Sequence, residues 1–253
     1  MPIALTRALS PRISECELTY LDRQPIDFVR AAAQHDAYER LLAMYGCTLV
    51  PVDPAPELPD GVFVEDAAVV VDELAVITRP GSESRRGETD SVARVLARYR
   101  PLCQIEAPGT IDGGDVLRVG RRLYVGRGQR TNDAGVRALR GCLAPFGYEV
   151  IAIGFRGCLH LKTAVTMLDE RALLFNPEWV DAIDGFEMIA VDPSEPFAAN
   201  VLRLGEVVII GAEQPRTRRL LEQRHYRTDA SAMSELLKAE AGVTCCSVIV
   251  EEV

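Results

Sequence analysis

The sequence has no apolar run approaching the ~18 residues that a membrane-spanning helix needs. Its start, Met1-Pro2-Ile3-Ala4-Leu5-Thr6-Arg7, offers no long apolar segment of a secretory leader, so the expected location is the cytoplasm. It also lacks an excess of base. The 28 Lys and Arg against 37 Asp and Glu leave a formal net charge of −9, which argues against nucleic acid or an anionic membrane surface as a partner. No CxxC or histidine-rich spacing suggests structural zinc. No GxGxxG follows a strand-like run, so a dinucleotide-binding fold has little support. Histidine is scarce, at three residues. The seven cysteines (Cys16, Cys47, Cys103, Cys142, Cys158, Cys245, Cys246) are scattered among apolar residues, as buried thiols are in a reducing compartment. No Pro/Gly/Ser-rich linker divides the chain, and 253 residues at 48% apolar are enough for a full core, so residues 1–253 are expected to form one domain.

What the sequence does contain is a recurring pair of short β-type runs around a tight polar turn. Phe63–Val71 and Leu74–Thr78 flank Asp72-Glu73, and Val116–Val119 and Leu123–Val125 flank Gly120-Arg121-Arg122. Ala164–Leu168 with Ala172–Phe175, and Asn200–Leu204 with Val207–Ile210, repeat the pattern. Helical periodicity follows at Thr89–Tyr99, Thr131–Phe146, Asn176–Ile183 and Gln214–Arg224, and most of these helices lead into a further strand. The predicted unit is strand, strand, helix, strand. The ends complete a fifth copy, with strands at Pro2–Leu9, Cys47–Val50 and Thr244–Val250 and a helix at Asp27–Tyr45. The class is therefore α/β, a closed ring of five modules, with an open α/β sheet as the simpler alternative. Ser10–Gln24 is the longest structureless stretch near the start, and a loop of that length suits a lid.

Five polar clusters sit at strand–turn junctions. Asp60, Glu65 and Asp66 crowd an apolar strand entry, and converging carboxylates suit a planar cation such as guanidinium. Arg79, Arg85 and Arg86 form a second cluster and Arg130 a third, each just before a helix, where arginine opposes the dipole and an external anion would relieve it. Asp112-Gly113-Gly114-Asp115 is the fourth, a turn that lets backbone approach closely between two acids. The fifth pairs Cys158-Leu159-His160-Leu161-Lys162 with Thr244-Cys245-Cys246-Ser247, an imidazole and a thiol of the kind that form an activated nucleophile. His35 reads as a packed helix residue and His225 as a surface one.

Taken in order, these segments resemble the dimethylarginine dimethylaminohydrolase family of the pentein superfamily, over nearly the whole chain. The resemblance implies a five-bladed β/α propeller and hydrolysis at a guanidinium carbon with no cofactor. It implies Cys245 as nucleophile, His160 as general acid and base, and Asp112 as the carboxylate supporting His160. It places Asp66 on the guanidinium, with Asp60 and Glu65 around it, and Arg85 and Arg130 on the α-carboxylate. Leu18 falls in the lid, and Ala239 where a backbone carbonyl meets the α-amino group. No metal is required, although zinc at Cys245 and His160 would inhibit. The implied partner is a small cationic amino acid, with a homodimer as the assembly it allows. Arginine deimination and a catalytically silent pentein are the competing readings. One departure from the family pattern stands before the nucleophile: Glu240-Ala241 replace the usual Asp-Gly.

Overall fold

The computed structural model describes residues 1–251. The first strand β1 (Ile3–Thr6) is followed by a long loop, helix α1 (Phe28–Met44) and β2 (Thr48–Pro51). Asp27 caps α1 by accepting from the Arg30 N–H, and Gly46, at φ +88°, turns the chain out of it. Next come β3 (Ala68–Val70), β4 (Ala75–Ile77), α2 (Thr89–Leu96) and β5 (Leu102–Gln104). Then follow β6 (Val116–Val119), β7 (Arg122–Arg127), α3 (Asp133–Leu143) and β8 (Glu149–Gly154). A single turn of helix, α4 (Leu161–Ala164), leads to β9 (Val165–Met167), β10 (Ala172–Phe175) and β11 (Glu187–Ala190). The last elements are β12 (Leu202–Leu204), β13 (Val207–Gly211), α5 (Pro215–Gln223), β14 (Arg227–Ser231) and β15 (Val248–Val250).

These strands form five three-stranded sheets with one shared topology. In each, an antiparallel pair is extended by a third strand parallel to the middle one, as in β3-β4-β5 and β6-β7-β8. The fifth is built from both ends of the chain: β15 pairs antiparallel with β1 (Ile3 opposite Val250), and β1 pairs parallel with β2 (Ile3 opposite Thr48). The apolar core follows the same plan. One buried cluster joins Leu5 and Val248 to Val92 and Leu96 of α2, and the next joins Val76 to Val116, Leu123 and Leu139. Leu117 and Tyr124 pack with Val165 and Leu173, and Leu174 packs with Ile210 and Leu221. The fifth cluster joins Val207 and Ile209 back to Ala4, Tyr38 and Leu42, so the last sheet is packed on the first. Burial of these faces is the main stabilising term.

Three expectations are corrected. Asn176–Ile183 is not a helix: the Asn176 side chain accepts from the Glu178 N–H and one turn forms, but the Trp179 carbonyl then accepts the Arg156 N–H and the segment stops. Thr244–Ser247 is not strand. Cys245 N–H bonds the Gly242 carbonyl in a turn, and β15 begins only at Val248. The cysteines are not all free thiols either. Cys103 of β5 and Cys142 of α3, brought together by the packing of neighbouring modules, form a disulfide with Cα atoms 6.1 Å apart. Spacing rules could not see a pair set by tertiary packing. No helix among the described residues is long and apolar enough to cross a membrane.

Candidate active site

His160 stands immediately before α4 and is 5% exposed. Its direction is fixed from below, because the Asp115 carboxylate accepts the Leu161 N–H (3.0 Å) and the Thr131 hydroxyl (2.6 Å) at the start of that turn. The ring then meets two acids. Nε2 lies 3.1 Å from Asp112 Oδ2, and Nδ1 lies 3.8 Å from Asp66 Oδ1. Asp112, fully buried, is itself oriented by the Gly81 N–H on its other oxygen (2.9 Å). The two glycines between Asp112 and Asp115 are required by contact. A Cβ on Gly113 would lie 1.9 Å from the Glu65 carbonyl, and one on Gly114 would lie 2.7 Å from His160 Nδ1 and 2.8 Å from Asp66 Oδ1.

Burial alone would lower the His160 pKa, but Asp66, the bond to Asp112 and the charge of Asp115 outweigh it and raise it to about 9. Asp66 moves the opposite way. Burial pushes it up, yet His160, Arg85 and the Gly114 N–H hold it down at about 2. Asp115, where burial dominates, is raised to about 7. The histidine is therefore an imidazolium at neutral pH, held among carboxylates.

Cys245 is half-buried and accepts from the Gly242 N–H at 3.3 Å. Its carbonyl accepts the Glu65 N–H (3.2 Å), which ties the cysteine turn to the acidic segment Val64–Ala67. Glu65 bonds Lys162 Nζ (2.6 Å) and the Thr244 hydroxyl (2.7 Å), and Thr244 is in turn held by Asn200. Burial, followed by the charges of Glu65 and Asp66, raises the Cys245 thiol well above its usual range. Cys246 is fully buried in the cluster beside α1, so only one thiol of the pair opens toward the acids.

The two arginines differ. Arg85 is buried in an internal network: Nε and Nη2 bond Glu88, Nη1 bonds Asp66 (2.6 Å), and Nη2 faces the Phe63 carbonyl. Arg130 is also buried, but among the described residues its Nη1 has no partner and its Nη2 makes one long contact, 3.4 Å, to the Thr19 hydroxyl. A desolvated guanidinium nitrogen without an acceptor is costly unless a ligand supplies one. Asp60 accepts the Glu17 N–H with both oxygens, at the head of the loop that carries Leu18. Leu18 packs on the core cluster of the first sheet, which also contains Ala239, at the end of the turn Leu236–Ala239. The donor atoms of Asp66, Asp112 and His160 all lie within 4.8 Å of one another, a set from which Cys245 is absent.

Sequence reasoning quoted Asp115, Lys162 and Thr244 within motifs without giving them work, and did not mark Glu88 or Asn200. Their partners lie up to 179 residues away, in the case of Thr244 and Glu65, and only the fold brings them together. The Asp112–Asp115 spacing around two glycines was the one local signal.

A set of buried carboxylates around an imidazolium, with one open thiol alongside, defines a site for a cationic substrate and covalent chemistry. The arginine deiminase family model matches residues 55–203. The chain is 41% identical over 252 residues to an N(G),N(G)-dimethylarginine dimethylaminohydrolase of Streptomyces coelicolor, covering 98% of this chain and 97% of that protein. Among solved structures, a cysteine-to-serine mutant of the Pseudomonas aeruginosa enzyme complexed with citrulline superposes with a TM-score of 0.90 at 34% identity, over 98% of both chains. A dimethylarginine dimethylaminohydrolase with histidine replaced by glycine, as an adduct with S-methyl-L-thiocitrulline, gives 0.91 at 33% identity, again over 98% of both. The chain belongs to the dimethylarginine dimethylaminohydrolase family.

Proposed function

We propose that this protein hydrolyses Nω-methylated arginine to citrulline and a methylamine through a covalent intermediate on Cys245. The observation that carries the reading is the placement of imidazolium His160 between Asp66 and Asp112, with Asp66 and Glu65 beside a single accessible thiol. Asp66 receives the guanidinium, with Glu65 and Asp60 completing the negative surround. The empty site keeps the Cys245 proton in place, because the neighbouring charges are acidic. The arriving guanidinium cancels that field, and the thiol gives up its proton to solvent only when substrate is bound, His160 being already protonated. The thiolate attacks the guanidinium carbon, and the C–N bond to the methylated nitrogen breaks as His160 passes it a proton. The Nδ1 edge of the ring faces Asp66, the carboxylate this reading gives to the guanidinium. Water, deprotonated by the now neutral His160, then attacks the S-alkylthiouronium carbon, releasing citrulline and returning the thiol.

At the other end of the substrate, Arg130 offers its unpartnered Nη1 to the α-carboxylate. Arg85, already bonded to Asp66 and Glu88, has one Nη1 hydrogen left with which to join it. The Ala239 carbonyl takes the α-amino group, and Leu18 closes over the bound amino acid. The five sheets are arranged as the blades of a β/α propeller in one domain, residues 1–253, around this centre. The reaction draws on no cofactor, and zinc held by His160 and Cys245 blocks it. The five free thiols suit the cytoplasm, where a homodimer is the expected assembly; the Cys103–Cys142 bond alone runs against that location.

The test is product analysis with asymmetric dimethylarginine. Citrulline and dimethylamine in equal amounts support the reading. Ammonia from unmethylated arginine at a higher kcat/KM would make the protein a deiminase, and no turnover of either would leave a silent binding protein.

A further inference from the structure

Glu240 stands where the family pattern has aspartate, and its backbone adopts φ +59°, ψ 17°. That left-handed conformation is unfavourable for a residue with a Cβ, and it persists only where other contacts enforce it. The contacts are present. The Glu240 carboxylate, 8% exposed, accepts three successive backbone N–H groups across some 220 residues of sequence: Thr19 at 3.0 Å, Tyr20 at 2.5 Å and Leu21 at 2.6 Å. Consecutive N–H groups converging on one anion form a nest, the strongest arrangement a loop backbone can offer a carboxylate.

We propose that Glu240 is the positioning residue that latches the loop at Leu18 over the substrate, and so couples recognition of the amino-acid end to the turn that carries the nucleophile. Two neighbours of Glu240 in that turn serve the same ligand in this reading. Ala239 precedes Glu240, and the Gly242 N–H, two residues on, bonds the Cys245 sulfur. The latched loop in turn presents the Thr19 hydroxyl to Arg130, whose second nitrogen is unpartnered. A shift of the loop therefore moves Leu18, the Arg130 contact and the Ala239 turn together. The longer acid is what reaches the loop: one methylene less would draw the carboxylate back by about 1.5 Å, beyond hydrogen-bond distance for at least one of the three donors. This inference rests on the hydrolase reading for its kinetic part and is independent of it for the latch itself.

The experiment combines hydrogen exchange with kinetics on full-length Glu240→Gly, Glu240→Gln and Glu240→Asp proteins. Glycine removes the carboxylate and at the same time relieves the left-handed backbone, so it separates the latch from a merely structural role. The expected result is a tenfold or greater rise in amide exchange confined to residues 19–21 in Glu240→Gly, with thermal stability equal to or above that of the parent. The rise should be smaller in Glu240→Gln and smallest in Glu240→Asp. KM for dimethylarginine rises about tenfold in Glu240→Gly, with kcat changed less than threefold. Unchanged exchange at residues 19–21 in all three variants would overturn the latch. Raised exchange with unchanged KM would overturn the coupling to substrate. Should every form prove inactive on dimethylarginine, the hydrolase reading fails, while the exchange data still decide the latch.

Discussion

In the proposed mechanism the chemistry turns on His160, and its environment makes a pH prediction. Burial lowers its pKa, the surrounding acids more than compensate, and the result is about 9 against an ordinary 6.5. The raised value means that the stabilisation from its protonated form is complete below about pH 6.5 and is lost as pH rises through 9. In the proposed mechanism the same proton is the one given to the leaving amine. The thermal midpoint is therefore expected to fall between about pH 6.5 and 9, a decline that should be absent in His160→Asn, whereas kcat/KM should fall above about pH 9. A pH–rate profile flat to pH 11 would separate His160 from the proton transfer. Arg130 carries a second prediction. Arg130→Gln should cost roughly 2 kcal/mol, about thirtyfold in kcat/KM, on dimethylarginine, and little on alkylguanidines that lack an α-carboxylate. Arg85→Gln should impair both classes, because it also frees Asp66 and Glu88. Equal losses for both classes in Arg130→Gln would make it a structural residue. At this scale local motifs singled out His160, Asp112 and Asp66, which the fold brings together, and Cys245, whose carbonyl meets the Glu65 N–H; the roles given to them belong to the proposed mechanism. The sequence was silent on Asp115 as the support of Leu161, and on Glu240 as a receptor for the loop, since both depend on partners far along the chain.

The elements place these side chains to within a fraction of an ångström, and glycine marks where the margin is smallest. Gly114 lies wedged beside His160 and Asp66. Gly114→Ala should destabilise by about 1–3 kcal/mol through overpacking. It should also lower kcat at least tenfold, by prising the imidazole from its acids, with KM changed less. An unaltered kcat would show that the ring position is not critical. The disulfide acts between elements. It closes a loop with a sequence separation of 39 between β5 and α3, for which chain entropy gives about 4 kcal/mol. Reduction, or Cys103→Ala with Cys142→Ala, should lower the thermal midpoint without altering the pH profile of catalysis. Denatured, unreduced protein should titrate five thiols and reduced protein seven. Seven in both would mean that the bond is not formed. Strands and hairpins were legible because alternation and tight polar turns are local properties. The failed helix at Asn176–Ile183 shows the limit: its periodicity and its Asn-Pro start suit a helix, but the Trp179 carbonyl, which a helix would give to the Ile183 N–H, accepts the Arg156 N–H from a distant segment.

Across the whole molecule, the repeated hairpin, crossover and parallel strand made the five modules readable from sequence. Their closure was readable only because the two ends each supplied part of one. The apolar clusters give the physical reason for closure: each belongs to two neighbouring sheets, and the one containing Ala4 and Val207 leaves no sheet with an uncovered face between last and first. A pKa near 9 on a buried histidine and a thiol raised by adjacent acids are properties of that closed assembly, not of any single module. The central claim is that Cys245 becomes covalently bonded to the guanidinium carbon during turnover. Intact-protein and peptide mass spectrometry on enzyme acid-quenched while turning over dimethylarginine tests it most directly. The account predicts a thiouronium adduct on the peptide containing Cys245, unmodified Cys246, and neither adduct nor citrulline from Cys245→Ser. Citrulline formed at an undiminished rate by Cys245→Ser, or an adduct on any other residue, would contradict it.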